Sequence, residues 1–189
     1  RQDIDDIYNQ MREWESDPSV NQVVLHFNSG GGTTSGLEEL NYYIRHYPKF
    51  TTAFAAEDCG SAAYWIGSAC KRFIATPSAN IGSIGIYISI TDESAKFASE
   101  GKKVIVVSAG DYKGAGIEGT SLTEKQMAYL QEEVDELRRR FVRDVLASRP
   151  LVSEEDMQGQ SFYGDIAAEK GLVTGVVLSF DELLDQLAA

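Results

Sequence analysis

The fold and the chemistry of this chain depend on one stretch, residues 58–69, which reads Asp58-Cys59-Gly60-Ser61-Ala62-Ala63-Tyr64-Trp65-Ile66-Gly67-Ser68-Ala69. The apolar residues before it, 50–56, predict a strand, and Gly60 marks a turn into small, helix-compatible residues. Ser61 is therefore predicted to stand at a helix N-terminus, where unpaired backbone N–H groups favour negative charge. This position suits a nucleophilic serine, because its attack on a carbonyl creates an oxyanion.

The same stretch also has a plainer interpretation. Serine is among the residues most often found at the N-cap of a helix, so Ser61 could act only as a cap. The small residues of the helix, together with Tyr64 and Trp65, could equally pack in the core. The stretch by itself leaves both interpretations open.

Composition excludes some classes of partner. The chain has 189 residues with 17 basic and 29 acidic side chains, which gives a net charge of −12. This excess of acid disfavours binding to nucleic acid or to an anionic lipid surface. The two cysteines, Cys59 and Cys70, match no metal-site spacing, and we expect free thiols, as in a reducing compartment, rather than a disulfide.

The length fits one domain with a substantial core, so we predict a single domain over residues 1–189. No apolar run approaches the length of a membrane span, and no signal peptide is visible. The chain begins inside a predicted helix, and we therefore interpret it as a fragment that lacks an N-terminal segment.

Strands and helices alternate along the chain, which predicts an α/β layered domain. Three capping boxes are predicted to open helices, at Ser35, Thr123 and Ser179. Further helices are predicted over residues 3–16, 92–100, 124–147 and 164–170. Strands are predicted over residues 20–27, 50–56, 72–75, 86–90, 103–108 and 172–178.

Three motif matches are treated as coincidence. Gly30-Gly31-Gly32 follows a strand and precedes a helix, but the lysine of a phosphate-binding loop is missing. Gly114-x-Gly116-x-x-Gly119 matches a dinucleotide pattern, but no helix begins there. Ser68-x-x-Lys71 lacks the companion motifs of penicillin-binding enzymes. We therefore expect neither a cofactor nor a metal.

A serine nucleophile needs a base, and histidine is not an obvious choice. His26 lies in a predicted strand, and His46 lies at a helix C-terminus, where a cation suits the helix dipole. Lysine can serve when its surroundings favour the neutral amine. Lys113 is the candidate, because it lies in a glycine-rich loop where no helix face dictates its exposure. Taken alone, it could also be an ordinary solvated lysine.

Four ordered segments together resemble the signal peptide peptidase A family of Ser–Lys peptidases and its phage relatives, the capsid-assembly or head-maturation proteases. The segments are Asn28-Ser29-Gly30-Gly31-Gly32, Ser61-Ala62-Ala63-Tyr64-Trp65 with Ser68-Ala69, Gly82-Ser83-Ile84-Gly85, and Tyr112-Lys113-Gly114. The segment 62–65 favours the phage branch. The resemblance covers about residues 20–178 and has two departures: Gly30 replaces a usual proline, and residues 117–120 replace a usual Asn-Pro segment.

The resemblance implies the crotonase and Clp-protease fold, a superhelix of stacked β-β-α turns. It also implies a Ser–Lys dyad in which Ser61 attacks the peptide carbonyl and Lys113 accepts its proton. Backbone N–H groups of Gly31 or Gly32 and of Ala62 would then bind the oxyanion.

Ser83 would lie near this dyad and orient either Lys113 or the substrate, although it could equally be a simple turn serine. We expect the pocket for the residue before the cleaved bond to be small and apolar. Its predicted walls are Ala62, Ala63, Tyr64, Trp65 and Ile84.

The implied partners are a peptide or protein substrate and further copies of the chain. The amphipathic helices carry more apolar surface than one small sheet can easily cover, which indicates an interface. The resemblance adds a homo-oligomeric ring, with an octamer as one candidate size, in which the dyad is shared between subunits. A monomer stays the alternative.

The resemblance implies a cytoplasmic protein of phage capsid assembly, or a membrane-associated one if an N-terminal anchor precedes residue 1. The implied substrates are signal-peptide-like sequences or capsid and scaffold proteins. Two rival functions remain open: an inactive assembly module of the same fold, and an acyl-CoA enzyme of that fold.

Overall fold

A computed structural model describes residues 3–188. The elements follow one another in the order α1 (Ile4–Ser16), β1 (Gln22–Ser29), α2 (Leu37–Arg45), β2 (Phe50–Gly60), α3 (Ala62–Ser68), β3 (Arg72–Ala75), β4 (Asn80–Gly82), α4 (Ser94–Ser99), α5 (Glu124–Ser148), a 3₁₀ turn (Glu154–Asp156), β5 (Ser161–Tyr163), α6 (Gly164–Glu169), β6 (Gly175–Val176) and α7 (Phe180–Ala188).

The chain divides into two compact units. The first comprises the residues up to Gly85 and those from Arg139 onwards, and the second comprises Ile86–Arg138. The first unit contains all six strands, and the second contains α4 and the first part of α5. The prediction of one domain over the whole chain stays a prediction.

Strand β2 is the centre of the sheet, because it is paired along both edges. Residues 50–55 pair with residues 22–27 of β1 in parallel, and residues 52–55 pair with β3 on the opposite edge. Beyond β3, residues 58–60 pair with β4, also in parallel. Strand β5 is antiparallel to β4, and β6 is parallel to β3. Pairing with β4 extends β2 to Gly60, four residues past its predicted end.

The helix α3 is buried in the core of the first unit. The Trp65 ring stacks on Phe141 of α5 with ring centroids 4.4 Å apart, and its Nε1 donates to Asp144 Oδ2 at 3.0 Å. The Tyr64 hydroxyl donates to the carbonyl oxygen of Leu172 at 2.8 Å. Core packing is therefore confirmed for Tyr64 and Trp65, and their buried polar atoms have the partners that burial requires.

Two predicted strands of the second unit are wrong. Residues 86–90 and 103–108 form no strand, although their alternation is typical of one. Their apolar side chains lie open to solvent, with Tyr87 86% and Val107 94% exposed. A strand is defined by hydrogen bonds to a neighbouring strand, and within the described residues of this unit none is available.

Other elements also differ from the predictions. Helix α2 begins at Leu37 with Gly36 as its N-cap at φ 77°, so the capping box predicted at Ser35 is wrong. Of the predicted strand 172–178, only Gly175–Val176 pairs. Strands β4 and β5, each only three residues long, were not predicted.

Two further predictions are confirmed, the capping box at Thr123 and the free cysteines. Thr123 and Gln126 form the predicted capping box, in which each side chain bonds to the other residue's backbone N–H. Cys59 and Cys70 are both free and buried. Within residues 3–188, no helix combines the length and the apolarity that crossing a bilayer requires.

Candidate active site

Ser61 has an unusual backbone conformation at the junction of β2 and α3. Its φ is 52° and its ψ is −122°, and its side chain makes no capping hydrogen bond to the helix. An ordinary N-cap residue is extended and its side chain accepts from the first turn, so the plain cap interpretation does not hold. Ser61 is also the one partly exposed residue in the otherwise buried run 59–70.

A second serine shares this strain. Within residues 3–188, Ser61 and Ser83 are the non-glycine residues with positive φ, at 52° and 51°. They follow Gly60 and Gly82, which are paired across β2 and β4, so the two serines leave neighbouring strands at the same level. Such conformations cost about 1–3 kcal/mol each and cluster at functional sites.

Backbone hydrogen bonds hold both serines in place. The Ser61 N–H donates to the Gly82 carbonyl oxygen at 2.8 Å, and the Ser83 N–H donates to that of Gln160 at 2.8 Å. Gln160 lies just before β5 and had no role in the sequence-based predictions. A long-range contact of this kind leaves no signal in the local sequence pattern.

The glycine loop lies directly against the Ser61 turn. A Cβ atom at Gly31 would be 2.7 Å from the Cβ of Ser61 and 3.0 Å from the amide nitrogen of Ala62. Gly31 also has a φ of 107°, which disfavours any side chain. Only glycine therefore permits this approach of the loop backbone to Ser61 and Ala62.

The backbone N–H groups around Ser61 differ in whether they already donate a hydrogen bond. The Gly31 N–H donates to the Ser29 hydroxyl at 3.2 Å. Gly32 is exposed, and Ala62 lies in the first turn of α3, where amides have no intrahelical acceptor. The structure therefore brings Gly31, Ala62 and Ser83 to Ser61.

A cavity of about 1120 Å³ begins beside the Ser61 turn, entirely within the first unit. Ala62 and Ala63 line it, whereas Tyr64, Trp65 and Ile84 are fully buried and form no part of its lining. The wall residues were mispredicted because Tyr64 and Trp65 point from α3 into the core. The apolar lining includes Ile4, Ile7, Trp14, Leu25, Phe27 and Leu37.

Helix α1 contributes one wall of this cavity. The apolar face of α1 was evident from its periodicity, but a periodicity does not reveal which surface a helix faces. Ile4, Ile7 and Trp14 are each only partly buried, so they present apolar surface to the open space. This part of the cavity is therefore suited to apolar side chains, whereas Asp3, Asp5 and Gln10 add polar groups to the lining.

Lys113 belongs to the second unit, where its side chain is exposed. Its N–H donates to the carbonyl oxygen of Gly110 at 3.2 Å, within the glycine-rich loop. The neighbouring residue Tyr112 stacks on Tyr129 of α5 with ring centroids 4.5 Å apart. The backbone of the lysine is thus held in a defined turn.

The cysteine and histidine side chains that could act as nucleophiles, bases or metal ligands have structural roles instead. Burial raises the pKa of the Cys59 thiol well above its usual range, so this neighbour of Ser61 stays protonated and unreactive. The His26 ring stacks on Phe180 at 5.1 Å, and Nδ1 of His46 lies 2.7 Å from the Tyr42 carbonyl oxygen. Within residues 3–188, no cluster of three or more His, Cys, Asp and Glu side chains could hold a metal ion.

Comparison with known proteins identifies the family to which this chain belongs. Residues 49–189 match the family described as Peptidase family S49. The chain therefore belongs to peptidase family S49, in agreement with the resemblance of its ordered motifs.

Two curated relatives and one solved structure are similar over most of the chain. A protein of Methanocaldococcus jannaschii named as a protease, MJ0651, is 28% identical over 187 residues, which is 95% of this chain and 60% of the relative. Capsid assembly protease C of Escherichia phage lambda is 25% identical over 177 residues, which is 92% of this chain and 40% of the relative. The chain thus spans between 40% and 60% of the length of these relatives.

A mutant of ClpP1 from Listeria monocytogenes has the same fold, with a TM-score of 0.63 over 95% of this chain and 86% of that one. At 14% sequence identity, this likeness concerns the fold alone. The predicted Clp-protease-like α/β fold is confirmed.

Adding a methyl group at Gly31 should disturb the site, whereas the same change at Gly30 should not. Gly31→Ala is expected to lower the free energy of unfolding by about 1–3 kcal/mol, because the Cβ would overlap Ser61 and the backbone has positive φ. Gly30→Ala is the matched control, since a Cβ there would meet nothing within 4 Å. Urea unfolding measures both, and equal stability of the two variants would contradict the close approach.

Proposed function

We propose that this chain is a serine endopeptidase with Ser61 as its nucleophile and Lys113 as its general base. The observation that carries the proposal is the strained Ser61 turn, with the Gly31 backbone packed against it and the hydroxyl free of a capping bond. Membership of peptidase family S49 supports hydrolysis of peptide bonds.

The reaction would proceed through an acyl-enzyme. The Ser61 oxygen attacks the peptide carbonyl carbon as the neutral amine of Lys113 accepts the hydroxyl proton. The resulting ammonium then donates that proton to the leaving amine nitrogen. Water attacks the ester, again with Lys113 as base, and releases the acid product and free Ser61.

The oxyanion would be bound by backbone N–H groups on either side of the nucleophile. The Ala62 amide is one donor, because it adjoins Ser61 in the first turn of α3. Of the two loop glycines, Gly32 is the better second donor, since the Gly31 amide already donates to the Ser29 hydroxyl. Pre-positioned donors of this kind stabilise the charge as it develops.

Ser83 would orient Lys113 or the substrate chain. Its support is the positive φ that it shares with Ser61 and the pairing of the residues that precede them. A turn serine without a catalytic role is the alternative.

The substrate would be a protein with an apolar segment at the cleavage site, because the cavity residues next to Ser61, Ala62 and Ala63, are small and apolar. The name of capsid assembly protease C supports substrates in capsid assembly. Capsid or scaffold proteins are the proposed substrates, and the cytoplasm is the proposed site of action. Signal-peptide-like sequences, processed at a membrane, are the alternative.

The proposed assembly is a homo-oligomeric ring, and an octamer is one candidate. Its support is the apolar surface of the second unit, where Ile88, Ile105 and Met127 are exposed as well as Tyr87 and Val107. Exposed apolar surface of this kind usually marks an interface. In such a ring, Ser61 of one copy and Lys113 of the next would form each dyad.

Ser61→Ala should lower peptide hydrolysis by at least about a thousandfold and leave the fold intact, because only the nucleophile is removed. Lys113→Ala and Lys113→Arg should do the same, since arginine stays protonated and accepts no proton. Lys103→Ala, another exposed lysine of the second unit, is the matched control and should retain wild-type activity.

Labelling with an active-site serine probe separates the rival functions. Labelling of wild type but not of Ser61→Ala is expected of the peptidase. No labelling of folded wild type would favour an inactive assembly module, and turnover of acyl-CoA by Ser61→Ala would favour the acyl-CoA enzyme.

Cleavage specificity should follow the apolar cavity. A peptide library is expected to be cut after small or apolar residues, because Ala62 and Ala63, the lining residues next to Ser61, are small and apolar. Mass spectrometry of the products measures this preference. A profile dominated by cleavage after lysine or arginine would refute the assignment of the cavity.

Mixing two inactive variants tests the shared dyad. When Ser61→Ala and Lys113→Ala subunits are mixed equally and assembled together, about a quarter of the sites should combine an intact serine with an intact lysine. About a quarter of wild-type activity is therefore expected. Proven subunit exchange without recovered activity would place each dyad within one chain, and a monomer by light scattering would exclude the ring.

A further inference from the structure

The loop that carries Lys113 is held to the first turns of α5 by two neighbouring side chains. The Asp111 carboxylate accepts a hydrogen bond from the Lys125 ammonium at 2.5 Å. The Tyr112 ring stacks on Tyr129 with centroids 4.5 Å and planes 24° apart. Lys125 and Tyr129 are four residues apart in a helix and so share one face. We call these four residues the loop clamp.

Charges around the clamp reinforce its two contacts. The Lys125 ammonium lies 5.4 Å from the centroid of the Tyr112 ring, a cation–π distance. The Tyr129 hydroxyl donates to the Glu133 carboxylate at 2.6 Å, one turn further along α5. The hydrogen bond from Lys125 holds the pKa of the Asp111 carboxyl below its usual range, and Asp111 raises that of Lys125. Asp111 is thus ionised and already paired.

The pairing matters because Asp111 precedes Lys113 by only two residues. A carboxylate within about 4–6 Å favours the ammonium form of a lysine, and an ammonium accepts no proton. Asp111 and Lys113 belong to the same loop, so we expect a carboxylate released from Lys125 to pair with the amine that should act as base. Of the described residues in the second unit, none pairs its carboxylate with the Lys113 side chain.

We propose that Lys125 and Tyr129 are positioning residues for Lys113. Lys125 engages Asp111 and so keeps that carboxylate from pairing with the Lys113 amine. Tyr129 sets the path of the loop by holding Tyr112, the residue next to Lys113. This inference rests on the proposed function, in which the neutral amine of Lys113 is the base.

The ion pair of the clamp is suited to a test by mutation, because it contributes little to stability. The Lys125 and Asp111 side chains are 62% and 69% exposed. Exposed ion pairs add little to the free energy of folding. Variants of Lys125 and Asp111 should therefore keep the fold, and a change in Lys113 reactivity can be separated from unfolding.

The first experiment measures the reactivity of the Lys113 amine. Assembled protein is treated with an amine-acylating reagent at mildly alkaline pH, and the labelling rate of Lys113 is followed by peptide mass spectrometry. In Lys125→Gln, the released Asp111 should pair with Lys113 and lower this rate by about threefold to tenfold. The double variant Lys125→Gln with Asp111→Asn should recover the wild-type rate. A Lys125→Gln rate that does not fall, or no recovery in the double variant, overturns the role of Lys125.

The second experiment measures catalysis on a peptide substrate. Tyr129→Ala should lower kcat and leave KM unchanged, because the clamp positions the proposed base and does not bind the substrate. Tyr129→Phe keeps the ring and should retain wild-type kcat. Equal loss in both variants, or a change confined to KM, overturns the role of Tyr129.

The role of Lys113 as base and the positioning role of the clamp can be refuted separately. Wild-type turnover by Lys113→Ala would refute Lys113 as the base. The labelling experiment would still decide whether the clamp controls the amine, because acylation of Lys113 does not require peptidase activity.

Discussion

The close approach of three backbone segments at Ser61 is the constraint on which the rest of the site depends. The end of β2, the end of β4 and the glycine loop after β1 meet there, held by the Ser61 N–H bond to the Gly82 carbonyl oxygen at 2.8 Å. Two glycines make the approach possible, since a Cβ at Gly31 would overlap Ser61 and one at Gly82 would lie 3.0 Å from the Gln160 oxygen. Ser61 has its positive φ at this meeting point.

The strain at Ser61 is sustained by the burial of the helix behind it. Helix α3 is anchored through Trp65 to Phe141 and Asp144 of α5, residues far away in the chain. Asp144 is itself buried and is paired with Arg143 at 2.8 Å, as a buried charge requires. A strained turn persists only where its surroundings over-determine it, and these contacts supply that condition.

The two units differ in how completely they bury their apolar residues. The first has a dense core, whereas the second exposes large side chains such as Tyr87 and Val107 and holds its loop mainly through side chains at the surface. The proposed base therefore lies in the part of the chain whose own packing is least complete. This arrangement is consistent with a site that assembly completes.

The sequence alone predicted the features that are set by residues close together in the chain. The strand–turn–helix around Ser61 and the Thr123–Gln126 capping box depend on neighbouring residues, and both were visible in the sequence. The glycines facing Ser61 were assigned only through the resemblance of the ordered motifs. Tertiary structure decided that Tyr64 and Trp65 enter the core rather than the cavity, that α1 lines that cavity, and that residues 86–90 and 103–108 form no strand. It also decided the strain at Ser61. These features depend on which distant segments meet, because a strand needs a partner and a helix face needs a surface, and no local pattern specifies either.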